Sequence, residues 1–123
     1  MLDVEAPDDA LEAAAIAALD AAGVQEGHVA IALIGSAEIR RLNRNHRSRD
    51  KPTDVLSFPV DGVGPVAGPR ELGDVVICPE EAADLIEATV HGVLHLCGYD
   101  HETDGGQMFA LQDQVVAALR DAG

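Results

Sequence analysis

An α/β (α+β) domain, with a small mixed sheet of three to four strands and about four helices packed on it, is the fold class that three features of this sequence predict. The 123 residues suffice for one hydrophobic core and are too few for two, so residues 1–123 are read as a single domain. Runs with strand character near residues 28, 55 and 75 are interleaved with segments of helical periodicity. Internal repeats and low-complexity tails are absent from the sequence, which excludes solenoid architectures.

Taken in order, a short strand at Leu2 to Glu5 is followed by an amphipathic helix over residues 8–22. Leu11, Ala14, Ala15, Ile16 and Leu19 form its apolar face, and Gly23 closes it. His28 to Ile34 alternates and is β-branched in part, as a strand does. Gly35-Ser36 ends it, with Ser36 placed to cap a helix from Ala37 to about Asn45 whose Ile39 and Leu42 face inward. Proline biases its predecessor away from helix, so Lys51-Pro52-Thr53 is extended or turned. Asp54 to Val60 is a strand. Residues 61–70 hold three glycines and two prolines and read as a mobile loop. Asp74 to Cys78 is apolar enough for a central strand. Pro79 is the expected first residue of the next helix, with Glu80 and Glu81 in its first turn. A buried stripe of Ala83, Ile86, Val90 and Val93 or Leu94 then leaves His91 and His95 at the core margin. Gly105-Gly106 precede a last helix, about Gln107 to Arg120, whose Met108, Leu111, Val115 and Leu119 recur at helical spacing.

Nearly half the residues are apolar, yet Phe58, Tyr99 and Phe109 are the only Phe, Tyr or Trp, so the core must be aliphatic. The longest apolar run, Ala13 to Leu19, is too short to span a bilayer, and Asp3 and Glu5 stand where a basic leader would be. Cytoplasmic residence without a membrane partner is the expectation. Cys78 and Cys97 lie among apolar neighbours and are read as buried small hydrophobes. Cys97, two residues after a histidine, is also a candidate for a site wall.

A net charge of -14 argues against nucleic acid as a partner, but the distribution argues the other way. Six of the eight basic residues, Arg40, Arg41, Arg44, Arg47, Arg49 and Lys51, fall within twelve positions opposed only by Asp50. Helix-dipole complementarity explains Arg44 or Arg47 but not all six. An anionic ligand is expected on this strip.

The most specific pattern is His91, His95 and His101, three of the five histidines within eleven residues. Offsets of four and ten put two imidazoles one turn apart on a helix face and bring a third round from the loop after Gly98. Three neutral imidazoles suit Zn²⁺ and leave a fourth position open, the arrangement of a catalytic site. Nickel or manganese also suits such ligands. The spacing coincides with the metzincin pattern H-E-x-x-H-x-x-G-x-x-H except that Gly92 stands where the general-base glutamate belongs, which disfavours a peptidase. Met108, in a helical stripe, reads as core rather than as a Met-turn.

Together, two motifs resemble one family, the YbeY endoribonucleases, which are bacterial rRNA maturation factors. His91-Gly-Val-Leu-His-Leu-Cys-Gly-Tyr-Asp-His101 resembles the family signature H-G-x-L-H-L-x-G-Y-D-H at every fixed place. Arg47-Ser-Arg-Asp-Lys-Pro-Thr-Asp-Val-Leu-Ser-Phe-Pro59 is similar to its arginine followed by D-x-P-T-D-V-L-S-F-P, and Leu72-Gly-Asp74 is a third, weaker match. The resemblance implies one Zn²⁺ per chain on His91, His95 and His101, no organic cofactor, and a catalytic Arg47. It implies single-stranded RNA as substrate, with work on ribosomal RNA near the 3′ end of the small-subunit RNA, ribosome quality control, and the small ribosomal subunit as partner. Sixteen residues separate Asp74 from His91, fewer than many members carry, so the cleft wall from that segment is expected to be reduced.

The chemistry expected is metal-assisted phosphodiester hydrolysis, with Arg47 meeting the phosphate bidentately and Arg44, Arg49 and Lys51 positioning the RNA backbone. Asp100 and Glu102 are candidate proton acceptors, and a ribose 2′-OH is an alternative nucleophile to water. Rival readings are a metzincin-like zinc peptidase, a non-catalytic RNA- or ribosome-binding factor with a structural zinc, and a hydrolase of small phosphorylated metabolites. With few aromatics, stacking of bases on the protein should be limited.

Overall fold

A computed structural model describes residues 2–61, 68 and 70–122. The elements run β1 (Leu2–Glu5), α1 (Asp9–Ala21), β2 (Gly27–Leu33), α2 (Ser36–Arg47), β3 (Val55–Pro59), β4 (Glu71–Ile77), α3 (Leu85–Leu96) and α4 (Gln107–Ala122). The fold class expected from sequence is the one observed, with a mixed sheet of four strands and four helices among the described residues. Of the 61–70 segment read as a mobile loop, residues 62–67 and 69 lie outside the described residues.

Strand order is β1-β2-β4-β3, with β1, β2 and β4 parallel and β3 antiparallel at the far edge. Helix α1 makes the crossover that a parallel β1–β2 pair requires. Its start is fixed by Asp8, whose carboxylate accepts the Leu11 amide at 2.8 Å. The larger core lies on one face, where α1, α3 and α4 bury Ala15, Leu19, Val90, Leu94 and Met108 against Val29, Ile31, Val75 and Ile77. On the other face α2 buries Ile39 against Leu56 and Cys78, with Leu42 and Phe58 partly buried beside them. The strands therefore alternate between two apolar partners, and Val75 and Ile77 go one way while Cys78 goes the other. Both cysteines are free and buried, and Met108 is core, as read from sequence.

Three boundaries differ from the sequence reading. Helix α3 begins at Leu85 rather than at Pro79, because the Asp84 carboxylate caps it by accepting the Ile86 and Glu87 amides at 2.9 and 3.2 Å. Pro79 to Ala83 instead form a turn closed on the Cys78 carbonyl, and Ala83 is exposed rather than part of the buried stripe. Glu80 and Glu81 serve a different helix, reaching the Ser36 amide and hydroxyl at the start of α2, where the dipole favours acids. Ser36 is accordingly the first residue of α2, with Gly35 at the cap position and no side-chain cap. Strand β4 starts at Glu71 rather than Asp74, since pairing with β2 and β3 on both sides extends it beyond its apolar run.

At the β1–β2–β4 end, His28 bridges two carboxylates, with Nδ1 2.7 Å from Glu71 Oε2 and Nε2 3.1 Å from Glu5 Oε1. The Glu71 hydrogen bond, then that of Glu5, raises His28 above its usual 6.5. A raised folded value favours the protonated ring in the native state, so its stabilisation is complete below about 6.5 and fades as pH rises through the folded value. His28→Gln should therefore lower the urea midpoint clearly near pH 6 and hardly at pH 9; an equal loss at both would mean that packing, not charge, is what His28 contributes.

Candidate metal and phosphate site

The three signature histidines converge, with one ligand atom of each of His91, His95 and His101 within 4.8 Å of the others. His91 and His95 stand one turn apart on α3, where the sheet side of the helix is buried and these two positions are partly buried. After Leu96 the helix ends: Gly98 turns the chain at φ 96°, a conformation that suits glycine, and donates its amide to the His95 carbonyl at 3.0 Å. Asp100 then closes the next turn, its carboxylate accepting the Glu102 amide at 3.0 Å and its carbonyl the Asp104 amide at 3.0 Å. This turn carries His101 back to its partners. Asp100 is thus engaged in holding the third imidazole in place.

Two of the imidazoles are oriented by acceptors behind them. His91 Nδ1 lies 2.8 Å from Gln112 Oε1, and His95 Nδ1 lies 3.0 Å from the Tyr99 carbonyl. A carbonyl can only accept, so each bond places the proton on Nδ1 and leaves Nε2 with a free lone pair. His101 has a buried Nδ1 with no hydrogen-bond partner. Burial, and then the neighbouring His91, push His95 below the usual imidazole value against the opposing pull of the Tyr99 carbonyl. A neutral ring is the form that ligates a metal. The donor set, the fixed tautomers and the unpartnered nitrogen all fit a cation.

A cleft of about 350 Å³ opens over the histidines, lined also by Arg47, Arg49, Thr53, Asp54, Val55, Ser57, Pro59 and Glu102. The basic strip is therefore divided. Arg47, at the end of α2, and Arg49 line the cleft, whereas Arg40, Arg41 and Arg44 line a separate, more open depression with Ala37. Asp50 lies 2.9 Å from Arg40 and 4.0 Å from Arg44, and the Arg40 bond holds its carboxyl below the usual range. Lys51 is exposed outside the cleft lining, and its backbone carbonyl accepts from Asn43 at 2.9 Å. Arg47 has a loose partner in Glu102 at 3.8 Å, both side chains being about half exposed.

Gly92 has a physical reason. A Cβ there would lie 2.5 Å from Val75 Cγ1 and 3.0 Å from Val55 Cγ2, and the Gly92 carbonyl accepts from Ser57 Oγ at 2.7 Å. Position 92 faces the sheet, and a glutamate cannot be housed there as the peptidase mechanism needs. Cys97, offered as a site wall, faces the opposite cavity with Ala22 to Glu26 and Arg70, and burial pushes its thiol up to about 11. Sequence reasoning missed three residues at the site. Asp54 lies inside the second motif but was not singled out. Gln112 was detectable as a polar residue within an apolar helical stripe, and Phe109, whose ring packs on His91 and His101 at centroid separations of 6.0 and 5.0 Å, as an aromatic off that stripe.

A family model described as Endoribonuclease YbeY matches residues 3–120. The Persephonella marina protein of that description is 38% identical over 117 residues, covering 83% of this chain and 76% of that protein. Its counterpart from Salinispora tropica is 39% identical, covering 91% and 87%; that from Nitrobacter winogradskyi is 46% identical, covering 76% and 59%. Among solved structures, the solution structure of a Thermotoga maritima protein is similar with a TM-score of 0.56 and 29% identity, over 97% of this chain and 89% of that one.

Two substitutions test this geometry. Gly92→Ala should destabilise the protein by about 1–3 kcal/mol through overpacking against Val75, measured by urea denaturation; a neutral result would mean that α3 can lift off the sheet freely. Gln112→Leu removes the acceptor behind His91 and should weaken Zn²⁺ or Co²⁺ binding by about 10–100-fold in a chelator competition, with little change in fold by circular dichroism.

Proposed function

Because the chain belongs to the YbeY endoribonuclease family, we propose that it is a metal-dependent endoribonuclease that cleaves single-stranded RNA in the cleft shared by His91, His95, His101 and Arg47. The observation that carries this reading is the meeting of a converging imidazole cluster with two arginines over one cleft, a cation holder beside phosphate holders. The names of the relatives, all described as Endoribonuclease YbeY, support RNA as the polymer. Zinc is the ion we assign to the three histidines, one per chain. When bound, such an ion acts as a Lewis acid toward a phosphoryl oxygen and lowers the pKa of a water ligand.

The chain's own residues divide the remaining work. Arg47 receives the scissile phosphate through its planar guanidinium and stabilises the charge that builds on the phosphoryl oxygens. Its pairing with Glu102 is long and half-exposed, hence worth only about 0–1 kcal/mol, so an arriving phosphate displaces it. That exchange frees the Glu102 carboxylate beside the ligand His101 to accept a proton. Asp54 is the second carboxylate on the cleft wall and a second candidate for that role. Arg49 from inside the cleft, and Arg44 and Lys51 from outside it, hold the flanking phosphates. The natural target assigned here is ribosomal RNA near the 3′ end of the small-subunit RNA, with the small ribosomal subunit as partner and ribosome quality control as the wider role, in the cytoplasm. Among the described residues no helix is long and apolar enough to cross a membrane.

An end-labelled single-stranded RNA incubated with zinc-loaded protein should be cut by the wild type and left intact by His95→Ala prepared identically. Equal fragments from both would mean contamination, and no fragments from either would turn the reading toward a non-catalytic RNA-binding factor. Arg47→Ala should lower kcat by about 10²-fold or more, and Arg47→Lys should restore little, since an ammonium cannot make the bidentate contact.

A further inference from the structure

The site carries one aromatic side chain that neither the metal cluster nor the phosphate holders account for. Helix α4 meets the histidines through a single turn, in which Gln112 is 4% exposed and bonds His91 while Phe109, three residues earlier, is 45% exposed. The buried members of this helix are Met108, Gln112, Val115 and Val116, so Phe109 stands off the core stripe. A solitary exposed apolar residue is ordinary on a protein surface. Phe109 differs in being fixed: its ring rests on His101 at 5.0 Å and 51° and on His91 at 6.0 Å and 34°. The ring thus touches two of the three imidazoles while the residue stays 45% exposed to solvent. Phe58 and Tyr99, the other aromatics, are committed elsewhere, Phe58 to the α2 face and Tyr99 to the main core.

On the ribonuclease reading above, we propose that Phe109 is a stacking platform for the nucleobase next to the scissile phosphate, and so a positioning residue that selects unpaired RNA. Every base has a π-face, so the contact tolerates any sequence. A base reaches such a platform only after leaving its neighbours, which a single strand allows readily and a duplex resists. The exposed part of an oriented ring offers that contact at little entropic cost, because the histidines already hold it.

The test uses a short single-stranded RNA in which one nucleotide at a time is made abasic. Affinity is read with chelator-treated protein and a fluorescein label, and cleavage with the zinc-loaded protein. In the wild type, one position flanking the cleavage site should lose about 5- to 150-fold in affinity when its base is removed. In Phe109→Leu, which keeps apolar cover over the histidines but has no π-face, that penalty should fall below twofold, and Phe109→Trp should restore it. Equal penalties in the wild type and Phe109→Leu would overturn the proposal. So would a wild type indifferent to every abasic position, a result independent of whether any variant folds; with intact RNA still cleaved, the ribonuclease reading would stand. A wild type that neither binds nor cuts RNA would remove both.

Discussion

Everything at the site depends on how closely α3 lies on the sheet. The absence of a side chain at Gly92 lets Val75 and Val55 occupy the space a Cβ would need, and Ser57 bonds the Gly92 carbonyl at 2.7 Å. With that contact made, the helix can neither roll nor slide without breaking a polar bond or opening a void in a close-packed layer. His91 and His95 flank the contact along the helix, so their height above the sheet and their direction follow from it. The edge strand β3, which supplies the Ser57 bond, also supplies Val55, Ser57 and Pro59 to the cleft wall. Floor and wall are thereby fixed by the same few atoms.

The same constraint separates two kinds of chemistry built on one ligand spacing. A helix held away from a sheet has room for a carboxylate next to its first ligand; one pressed against it does not. Here the carboxylates come from the cleft walls, Asp54 and Glu102, and the end of α2 and the loop that follows add Arg47 and Arg49. Arginines facing imidazoles is an arrangement for a substrate that brings its own negative charge, and it is compatible with an acidic chain because Asp50 engages Arg40 and Arg44 and leaves Arg47 and Arg49 to the cleft.

Much of this was legible in the sequence, and the reasons are local. The imidazole cluster was readable because helix geometry alone brings His91 and His95 together and a glycine permits the return of His101. The cores were readable from periodicity at Leu11, Leu19, Val90 and Met108. Where reading failed, the deciding partner was distant. Pro79-Glu80-Glu81 has every mark of a helix start, yet the two acids satisfy Ser36 on another element, and the helix begins six residues later at a better cap. β4 reaches back to Glu71 through strand pairing that its side chains do not advertise. Gln112 and Phe109 stand out in the sequence against the apolar stripe of their helix, but that they meet the histidines depends on how core packing rotates the helix. The division of the basic strip likewise depends on where α2 ends.

The direction of the Cys97 side chain also has a bearing on the metal. A thiolate two residues from His95 would be a strong fourth donor, and a tetrahedral ion closed by protein atoms is a structural staple with no place for a reactant. Cys97 turns instead into the cavity behind the helix, and burial keeps it a thiol. A fourth donor is thus withheld from the three imidazoles by the way one small side chain points.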